Sequence, residues 1–316
     1  MGSNPLLSVI IPTFNEEAAI GDIILRLQDL NLPDTEILVI NDGSSDGTAR
    51  VAEAAGARVI SHPYNIGNGA AVKTGIRNAR GKALVFMDAD GQHDPQDIPR
   101  IICHLASFHM VVGARQRDSE TSKLRDFANW VYNSLATYVA QFKIEDLTSG
   151  MRAMRREDAL RFCDMFPNTF SYPTTSTLAF LRSGRSLKYV PIKTKYRIGK
   201  SKIKPFVDGP RFLLIIMKIA TLFSPMRIFL PVSIASFAAG VSWYLFTYFA
   251  FGRFTNMSAL LCNTSVIIFM LGLIAEQVAS LRLEQNEGLT SQVTAASYSD
   301  FEQFGSEHKE FDQTRN

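Results

Sequence analysis

The sequence predicts an α/β fold in which a doubly wound sheet, flanked by helices, is followed by membrane helices. Short apolar runs alternate with helix-like segments over residues 6–114, which is typical of parallel sheets with helices on both faces. Polar side chains directly follow four of these runs, where open α/β sheets bind ligands. Residues 228–251 and 257–275 contain no Asp, Glu, Lys or Arg, and a bilayer needs about 20 such residues per helix.

The first strand and helix carry the clearest periodicity. A strand is expected at residues 7–11, ended by Pro12, and Asn15 is expected to cap the following helix. That helix has apolar residues at the spacing of a buried face, namely Ile20, Ile23, Ile24 and Leu27. Further strands are expected at residues 36–40, 58–60, 84–87, 110–114 and 187–196, and a loop at 145–156 is expected to lead into another.

The residues after the first two strands suit a nucleotide. Phe14 offers an aromatic ring, and Asp42 offers a carboxylate for a ring N–H of a base. At one edge of a doubly wound sheet these residues would lie beside Asp88, Asp90 and Arg115, which follow the fourth and fifth strands. Asp and Gly are also common in turns for conformational reasons. Four polar clusters at successive strand ends nevertheless favour a nucleotide site.

The sequence DADGQHDP at residues 88–95 is the centre of this prediction. Two adjacent carboxylates, Asp88 and Asp90, repel each other unless a positive charge lies between them. A hard divalent cation such as Mg²⁺ or Mn²⁺ takes oxygen ligands and shares them with substrate phosphates. The alternative is that Asp90 and Gly91 only form a turn and that Asp94 only caps a helix.

Composition argues against several other classes. The net charge of +3 over 316 residues is too small to indicate a nucleic-acid-binding face. The three cysteines are far apart, so neither a zinc site nor a disulfide framework is expected. The sequence has no P-loop, and the first βα turn lacks Gly-x-Gly-x-x-Gly, which argues against a dinucleotide cofactor.

A basic segment precedes the uncharged stretches. Its cations are Arg197, Lys200, Lys202 and Lys204. With a glycine and a serine among them, they suit a flexible loop that closes over phosphates or a patch that meets anionic lipid. Residues 210–223 are expected to lie along a membrane surface. Because cations are concentrated before the first span, both termini and the α/β part are expected in the cytoplasm.

Taken together, these motifs resemble those of family-two glycosyltransferases with the GT-A fold. The similarity is carried by VIIPTFNEE at residues 9–17, VINDGSSDGT at 39–48, NIGNG at 65–69, DADGQHDP at 88–95, GAR at 113–115, LTSGMR at 147–152 and GKSK at 199–202. More narrowly, the chain resembles the polyprenyl-phosphate glycosyltransferases of the dolichyl-phosphate mannose synthase type. The resemblance implies inverting transfer of one hexose from a GDP-mannose or UDP-glucose type of donor to polyprenyl phosphate at the cytoplasmic membrane face.

The same resemblance implies roles for individual residues. The nucleotide would be held by Pro12, Phe14, Glu16, Ile40 and Asp42. A Mg²⁺ or Mn²⁺ ion would be held by Asp88, Asp90 and Gln92, with Ala89 part of the same cofactor-binding stretch. The donor diphosphate or the reacting groups would be contacted by Arg115, Arg197 and Lys202, and the acceptor phosphate by Arg125.

Two positions depart from the pattern of this family. Phe14 stands where many relatives have tyrosine, which removes a phenolic hydroxyl. Residues 174–177 contain no carboxylate, whereas relatives often carry a glutamate in this helix. A sugar contact made by such a glutamate is therefore not expected here.

Three other functions remain as alternatives. A hydroxyl acceptor would need a general base, for which Asp146 is the candidate. A processive polysaccharide synthase is disfavoured because the sequence lacks a Gln-x-x-Arg-Trp motif. An inactive membrane adaptor is disfavoured because Asp88, Asp90 and Arg115 are intact.

The expected organisation has four parts. They are a glycosyltransferase domain at residues 1–204, an interfacial helix at 205–227, two transmembrane helices at 228–283 and a disordered acidic tail at 284–316. The transmembrane helices could also pack with further copies of the chain.

Overall fold

The computed structural model describes residues 5–115, 133–134, 136–138, 140–168, 172–194, 221, 224–288 and 301. Arg125, Arg197 and Lys202, together with the predicted basic loop and most of the predicted interfacial helix, lie outside these residues. The chain divides into two compact units, one containing the sheet and the other containing two long C-terminal helices.

Within the described residues, seven strands form one sheet. They are β1 Leu7–Thr13, β2 Thr35–Asn41, β3 Arg58–Ser61, β4 Ala83–Phe86, β5 Met110–Arg115, β6 Arg152–Arg155 and β7 Leu187–Ile192. Their order is β3-β2-β1-β4-β6-β5-β7. Strands β1 to β4 are parallel, and β5 is parallel to β7. The connections reverse direction between β1 and β4, which is the switch point where such sheets bind ligands.

One feature of the sheet was not predicted, and one prediction is wrong. The strand expected from the segment 145–156 is β6, which runs antiparallel between β4 and β5, and its sequence carries no signal for the direction of pairing. Pro12 does not end β1, which continues to Thr13. The pairing of β1 with β4 ends at Ile10, so Pro12 has a strand neighbour on the β2 side only. A missing N–H is tolerated on the side of a strand that has no neighbour.

The sheet carries helices on both faces. They are α1 Glu17–Gln28, α2 Thr48–Ala54, α3 Asn68–Asn78, α4 Ile98–Ile102, α5 Arg156–Phe162 and α6 Tyr172–Arg182, with short 3-10 turns at Pro95–Asp97, Cys103–Ala106 and Cys163–Met165. The predicted face of α1 is confirmed, because Ile20, Ile23, Ile24 and Leu27 are all buried. On the opposite face α3 lies so close that a Cβ on Gly75 would overlap Ile10.

The C-terminal unit contains an apolar helical hairpin, formed by α7 Met226–Phe251 and α8 Asn256–Gly288. Both helices are long and apolar enough to cross a membrane. The Ser233 hydroxyl donates to the Ser265 carbonyl oxygen at 2.9 Å, and a Cβ on Gly240 would crowd the Cys262 sulfur at 2.9 Å. Small residues and interhelical hydrogen bonds of this kind hold membrane helices together.

The predicted disordered tail differs from expectation in two described places. Helix α8 continues to Gly288, beyond the point where aperiodic sequence was expected to begin. Phe301 is fully buried in the core cluster of the sheet unit. Burial of an aromatic side chain stabilises the folded protein. A count of charged residues in the tail does not reveal that one aromatic residue is buried.

Candidate active site

The polar residues that follow the strands lie at one edge of the sheet, as predicted. Strands β1, β2, β4 and β5 run in the same direction, so their carboxyl ends lie at the same edge. The antiparallel β6 brings its amino end to that edge, with Arg152 paired to Phe86 and to Val112. The segment LTSGMR at residues 147–152 is thereby placed beside the DADGQHDP turn.

The loops after β1 and β2 are joined by hydrogen bonds. Asn15 has a left-handed backbone (φ 57°), and its side-chain oxygen accepts from the Ser45 N–H at 2.9 Å. The Glu17 carboxylate accepts from the Gly47 N–H at 3.0 Å. Asn15 therefore does not cap α1 as predicted. The residue before the helix is Glu16, whose own N–H donates to the Thr48 hydroxyl at 3.0 Å.

The predicted nucleotide residues near β1 differ in accessibility. Phe14 is 42% exposed, which leaves its ring available to a base. Pro12 is buried within β1. Ile40 is also fully buried and faces α3, where a Cβ on Gly75 would lie 3.4 Å from its side chain. The Ile40 side chain therefore belongs to the core rather than to the surface of the edge.

Asp42 is only 2% exposed, and its carboxylate is held by three groups. It accepts from the backbone N–H groups of Ile66 (3.0 Å) and Gly67 (2.8 Å) and contacts His62 Nδ1 at 2.7 Å. His62 Nε2 lies 2.9 Å from the Thr74 hydroxyl. An ionised carboxylate has about four acceptor positions, and the described residues occupy three of those on Asp42.

Sequence reasoning did not identify His62. It follows β3 directly, at the same sheet edge as the other candidates. Its position after a strand was the available signal.

The DADGQHDP segment forms the turn and the cap that the sequence left open as the alternative to a metal site. The Asp90 carboxylate accepts from the Gln92 N–H at 3.1 Å, and Gly91 has the left-handed φ of 71° that this turn requires. Asp94 caps the 3-10 turn, accepting from the Gln96 N–H at 3.2 Å, and pairs with Arg26 at 2.8 Å. The helix-cap interpretation of Asp94 is therefore confirmed.

Asp88 lies beside His93 and Gly150. Its carboxylate is 3.8 Å from His93 Nε2, and a Cβ on Gly150 would overlap it. Burial alone would raise the pKa of Asp88. The neighbouring His93 and the charges of Arg152 and Arg115 outweigh that effect and hold the pKa below its usual value.

Arg115 forms a two-pronged ion pair with Asp146. Arg115 Nε lies 2.7 Å from one Asp146 oxygen and Nη2 lies 2.9 Å from the other, while Nη2 also donates to the Thr148 hydroxyl at 2.6 Å. Burial would raise the pKa of Asp146, but the hydrogen bond and charge of Arg115 lower it overall. The pKa of Arg115 is raised by the same pair, against the opposing effect of burial.

The donor chemistry of the turn fits a hard divalent cation. Within the described residues no three His, Cys, Asp or Glu side chains converge on a metal position. Asp88, Asp90 and Gln92 supply oxygen atoms, and Gly150 leaves room for the Asp88 carboxylate. Such a partial oxygen set suits Mg²⁺ or Mn²⁺, because these ions usually complete their coordination with water and substrate phosphates.

The fold and this edge define the class as an α/β transferase of the GT-A type. The chain belongs to glycosyltransferase family 2: residues 8–161 match the family model "Glycosyl transferase family 2", and residues 224–281 match the "GtrB C-terminal hairpin".

Named relatives agree with that membership, and a solved structure shares the fold. An undecaprenyl-phosphate mannosyltransferase of Micrococcus luteus is 30% identical over 63% of this chain and 88% of its own length. The glycosyltransferase AglJ of Haloferax volcanii is 25% identical over 88% of this chain and 95% of its own. Glucosyl-3-phosphoglycerate synthase of Mycobacterium tuberculosis shares the fold, with a TM-score of 0.57 and 20% identity over 68% of this chain and 80% of that chain.

Proposed function

We propose that this glycosyltransferase moves one hexose from a nucleotide-diphosphate sugar to a polyprenyl phosphate, with inversion at the anomeric carbon. The observation that carries the proposal is the placement of Asp88, Asp90 and Arg115 at one sheet edge in a chain that also contains two apolar hairpin helices. The printed function of the Micrococcus luteus relative, an undecaprenyl-phosphate mannosyltransferase, supports a lipid-phosphate acceptor.

The proposed reaction forms one bond and breaks one. A phosphate oxygen of the lipid attacks the anomeric carbon while the bond from that carbon to the donor's β-phosphate oxygen breaks. The electron pair of the broken bond leaves with the nucleoside diphosphate. A lipid monophosphate is already anionic at neutral pH, so no proton has to be removed by the enzyme.

The state of Asp146 supports this acceptor over a hydroxyl. A general base works best when its pKa lies near the working pH. The Arg115 ion pair holds the pKa of Asp146 below the usual value for aspartate, and both of its oxygens already accept hydrogen bonds from Arg115. Asp146 is therefore better suited to fixing Arg115 than to deprotonating a sugar.

Arg115 is the described cation best placed to meet the departing diphosphate. Asp146 and Thr148 engage its Nε and Nη2 atoms. Among the described residues Nη1 has no hydrogen-bond partner, and we propose that its two N–H groups donate to phosphate oxygens. Asp88, Asp90 and Gln92 would hold a divalent cation, which when bound offsets negative charge on the leaving group.

The hydrogen bonds already made to Asp42 support one choice of donor base. One free acceptor position suits a base that offers a single ring N–H, as uracil does, better than guanine, which offers two adjacent donors. We therefore propose a uridine nucleotide as donor. The Mycobacterium tuberculosis enzyme that shares the fold was crystallised with Mn²⁺ and UDP, which is consistent with this choice.

The remaining roles are proposed from the sequence. Arg197 and Lys202 would close over the donor phosphates, and Arg125 would position the acceptor phosphate. The cations that precede the first apolar helix favour a cytoplasmic location for the sheet unit. The lipid acceptor would then be used at the cytoplasmic face of the membrane.

A product assay tests this function. Purified protein is incubated with Mn²⁺, a panel of nucleotide sugars and short-chain polyprenyl phosphates, with and without a chelator. We expect a lipid-phospho-sugar from a uridine donor that disappears when the metal is removed. Transfer to free sugar hydroxyls would contradict the lipid-phosphate acceptor, and the absence of any product with every donor would favour the inactive adaptor.

A further inference from the structure

Arg152 is a fully buried arginine at the amino end of β6. Its guanidinium donates at one end to the Ser149 carbonyl oxygen, from Nε at 3.1 Å and from Nη2 at 2.5 Å. At the other end Nη1 lies 2.8 Å from the Pro173 carbonyl oxygen, 2.7 Å from the Ser176 hydroxyl and 3.3 Å from the Thr177 hydroxyl. Arg152 thereby links the segment before β6 to helix α6.

The partners of Arg152 are unusual for a buried cation because none of them is a carboxylate among the described residues. A buried charge is costly unless it is paired or fully hydrogen-bonded. Here the compensation comes from carbonyl and hydroxyl oxygens, and the Tyr172 ring lies 5.8 Å from the guanidinium carbon. Ser176 and Thr177 are themselves fully buried. The carboxylate-free segment at residues 174–177 is therefore the part of α6 that receives the guanidinium.

The opposite end of Arg152 leads to the metal-site carboxylate. The Ser149 carbonyl that Arg152 holds belongs to the peptide that joins Ser149 to Gly150. Gly150 lies against Asp88 so closely that any Cβ there would overlap its carboxylate. The position of this peptide therefore limits where the Asp88 carboxylate can lie.

We propose that Arg152 is a positioning residue for Asp88. It fixes the Ser149–Gly150 peptide as a wall against which the carboxylate rests, so that Asp88 is oriented before a divalent cation binds. This inference rests on the proposed function in one respect, namely that Asp88 is a metal ligand. Residues that orient metal ligands typically change metal affinity or activity by about 10–100-fold when they are replaced.

The test measures Mn²⁺ affinity, which does not depend on turnover. The purified protein is titrated with Mn²⁺ without donor or acceptor, and binding is followed by electron paramagnetic resonance. The variants are Arg152→Met and Gly150→Ala, and the matched control is Arg155→Met. Arg155 is on the same strand and also donates to backbone carbonyls, those of Leu105 and Ala106 at 2.9 Å. We expect about 10–100-fold weaker Mn²⁺ binding for both test variants and wild-type affinity for the control.

Thermal unfolding separates positioning from a general loss of structure. If Arg152→Met does not fold, Gly150→Ala alters the Asp88 wall without removing the buried charge, and Ser176→Ala removes only one partner of the guanidinium. Arg152→Lys, which keeps the charge and some hydrogen bonding, is expected to bind Mn²⁺ with intermediate affinity. In these variants, the Mn²⁺ concentration that gives half-maximal turnover should rise in parallel with the dissociation constant for Mn²⁺.

Two results would overturn the proposal in distinguishable ways. Folded Arg152→Met and Gly150→Ala proteins with wild-type Mn²⁺ affinity would show that the wall does not orient Asp88, while leaving the proposed function intact. Wild-type protein that binds no Mn²⁺ but still forms the lipid-phospho-sugar would remove the metal role of Asp88 and this inference with it. Absence of product from wild-type protein that binds Mn²⁺ would count against the proposed function alone.

Discussion

The two ends of the active-site edge satisfy their carboxylates differently. At the end proposed for the nucleotide, formed by the loops after β1, β2 and β3, Asp42 is held by backbone N–H groups and by His62. At the end proposed for sugar transfer, formed around β4, β5 and β6, Asp146 is held by Arg115, and Arg152 lies behind the Ser149–Gly150 peptide beside Asp88. The nucleotide end thus fixes the backbone around one carboxylate, whereas the transfer end holds charges suited to the cation and the diphosphate of the proposed reaction.

The largest effect is expected from removing a carboxylate at the transfer end. Asp90→Ala should abolish turnover, because the metal set would lose one of its two carboxylates, while thermal unfolding changes little. Turnover is measured as formation of lipid-phospho-sugar and folding by circular dichroism. Asp94→Asn is the matched control in the same turn, since it removes a carboxylate that caps a 3-10 turn. Retained turnover in Asp90→Ala would show that the metal site has been misassigned.

The next effect concerns the Arg115 ion pair. Asp146→Asn should destabilise the protein by about 3–5 kcal/mol, because it leaves a largely buried guanidinium without its charged partner. Denaturant unfolding at pH 7 measures this difference. A loss below 1 kcal/mol would mean that the pair is solvated and that Arg115 is not fixed by it.

The same pair predicts a pH dependence of definite sign. Asp146 has a lower pKa in the folded protein than its ordinary value, so its contribution to stability is complete above the unfolded-state pKa of about 3.9. That contribution is lost as the pH falls through the folded-state pKa. The difference in unfolding free energy between wild type and Asp146→Asn should therefore be constant near neutral pH and should narrow below about pH 4. A difference that instead narrows between pH 6 and 8 would contradict the lowered pKa.

A smaller effect is expected at the nucleotide end, on selectivity rather than on rate. His62→Leu should free an acceptor position on Asp42 and raise the affinity for GDP relative to UDP by about 10-fold, the equivalent of one hydrogen bond of about 1.4 kcal/mol. Competition of UDP and GDP in calorimetric titrations measures the ratio. An unchanged ratio would show that Asp42 does not select the base.

The smallest effect on turnover is expected from the hydrogen bonds that join the loops after β1 and β2. Asn15→Ala should cost about 1–2 kcal/mol, because alanine loses the bond to Ser45 and tolerates the left-handed backbone poorly. Turnover should remain near the wild-type level. Asn15→Gly is the control, since glycine adopts that backbone freely and loses only the hydrogen bond. Equal unfolding free energies for the two variants would remove the backbone part of this explanation.

Sequence reasoning succeeded where a single segment carries the signal. The strand ends, the buried face of α1, the helical hairpin and the family all followed from local patterns. It did not reveal the antiparallel β6, because pairing direction depends on the partners of a strand. It also missed the pairs that join distant residues, such as Arg115 with Asp146 and Asp42 with His62. Arg152 stood within a recognised motif, yet only its hydrogen bonds in the structure show what it holds.

The structure of the lipid product tests the central claim most directly. Product made from a nucleotide sugar and a polyprenyl phosphate is analysed by mass spectrometry for its number of phosphates and by NMR for its anomeric configuration. We predict one hexose joined through one phosphate to the lipid, with the configuration opposite to that of the donor. A product with two phosphates between lipid and sugar, or with the donor's configuration retained, would contradict direct displacement by the lipid phosphate.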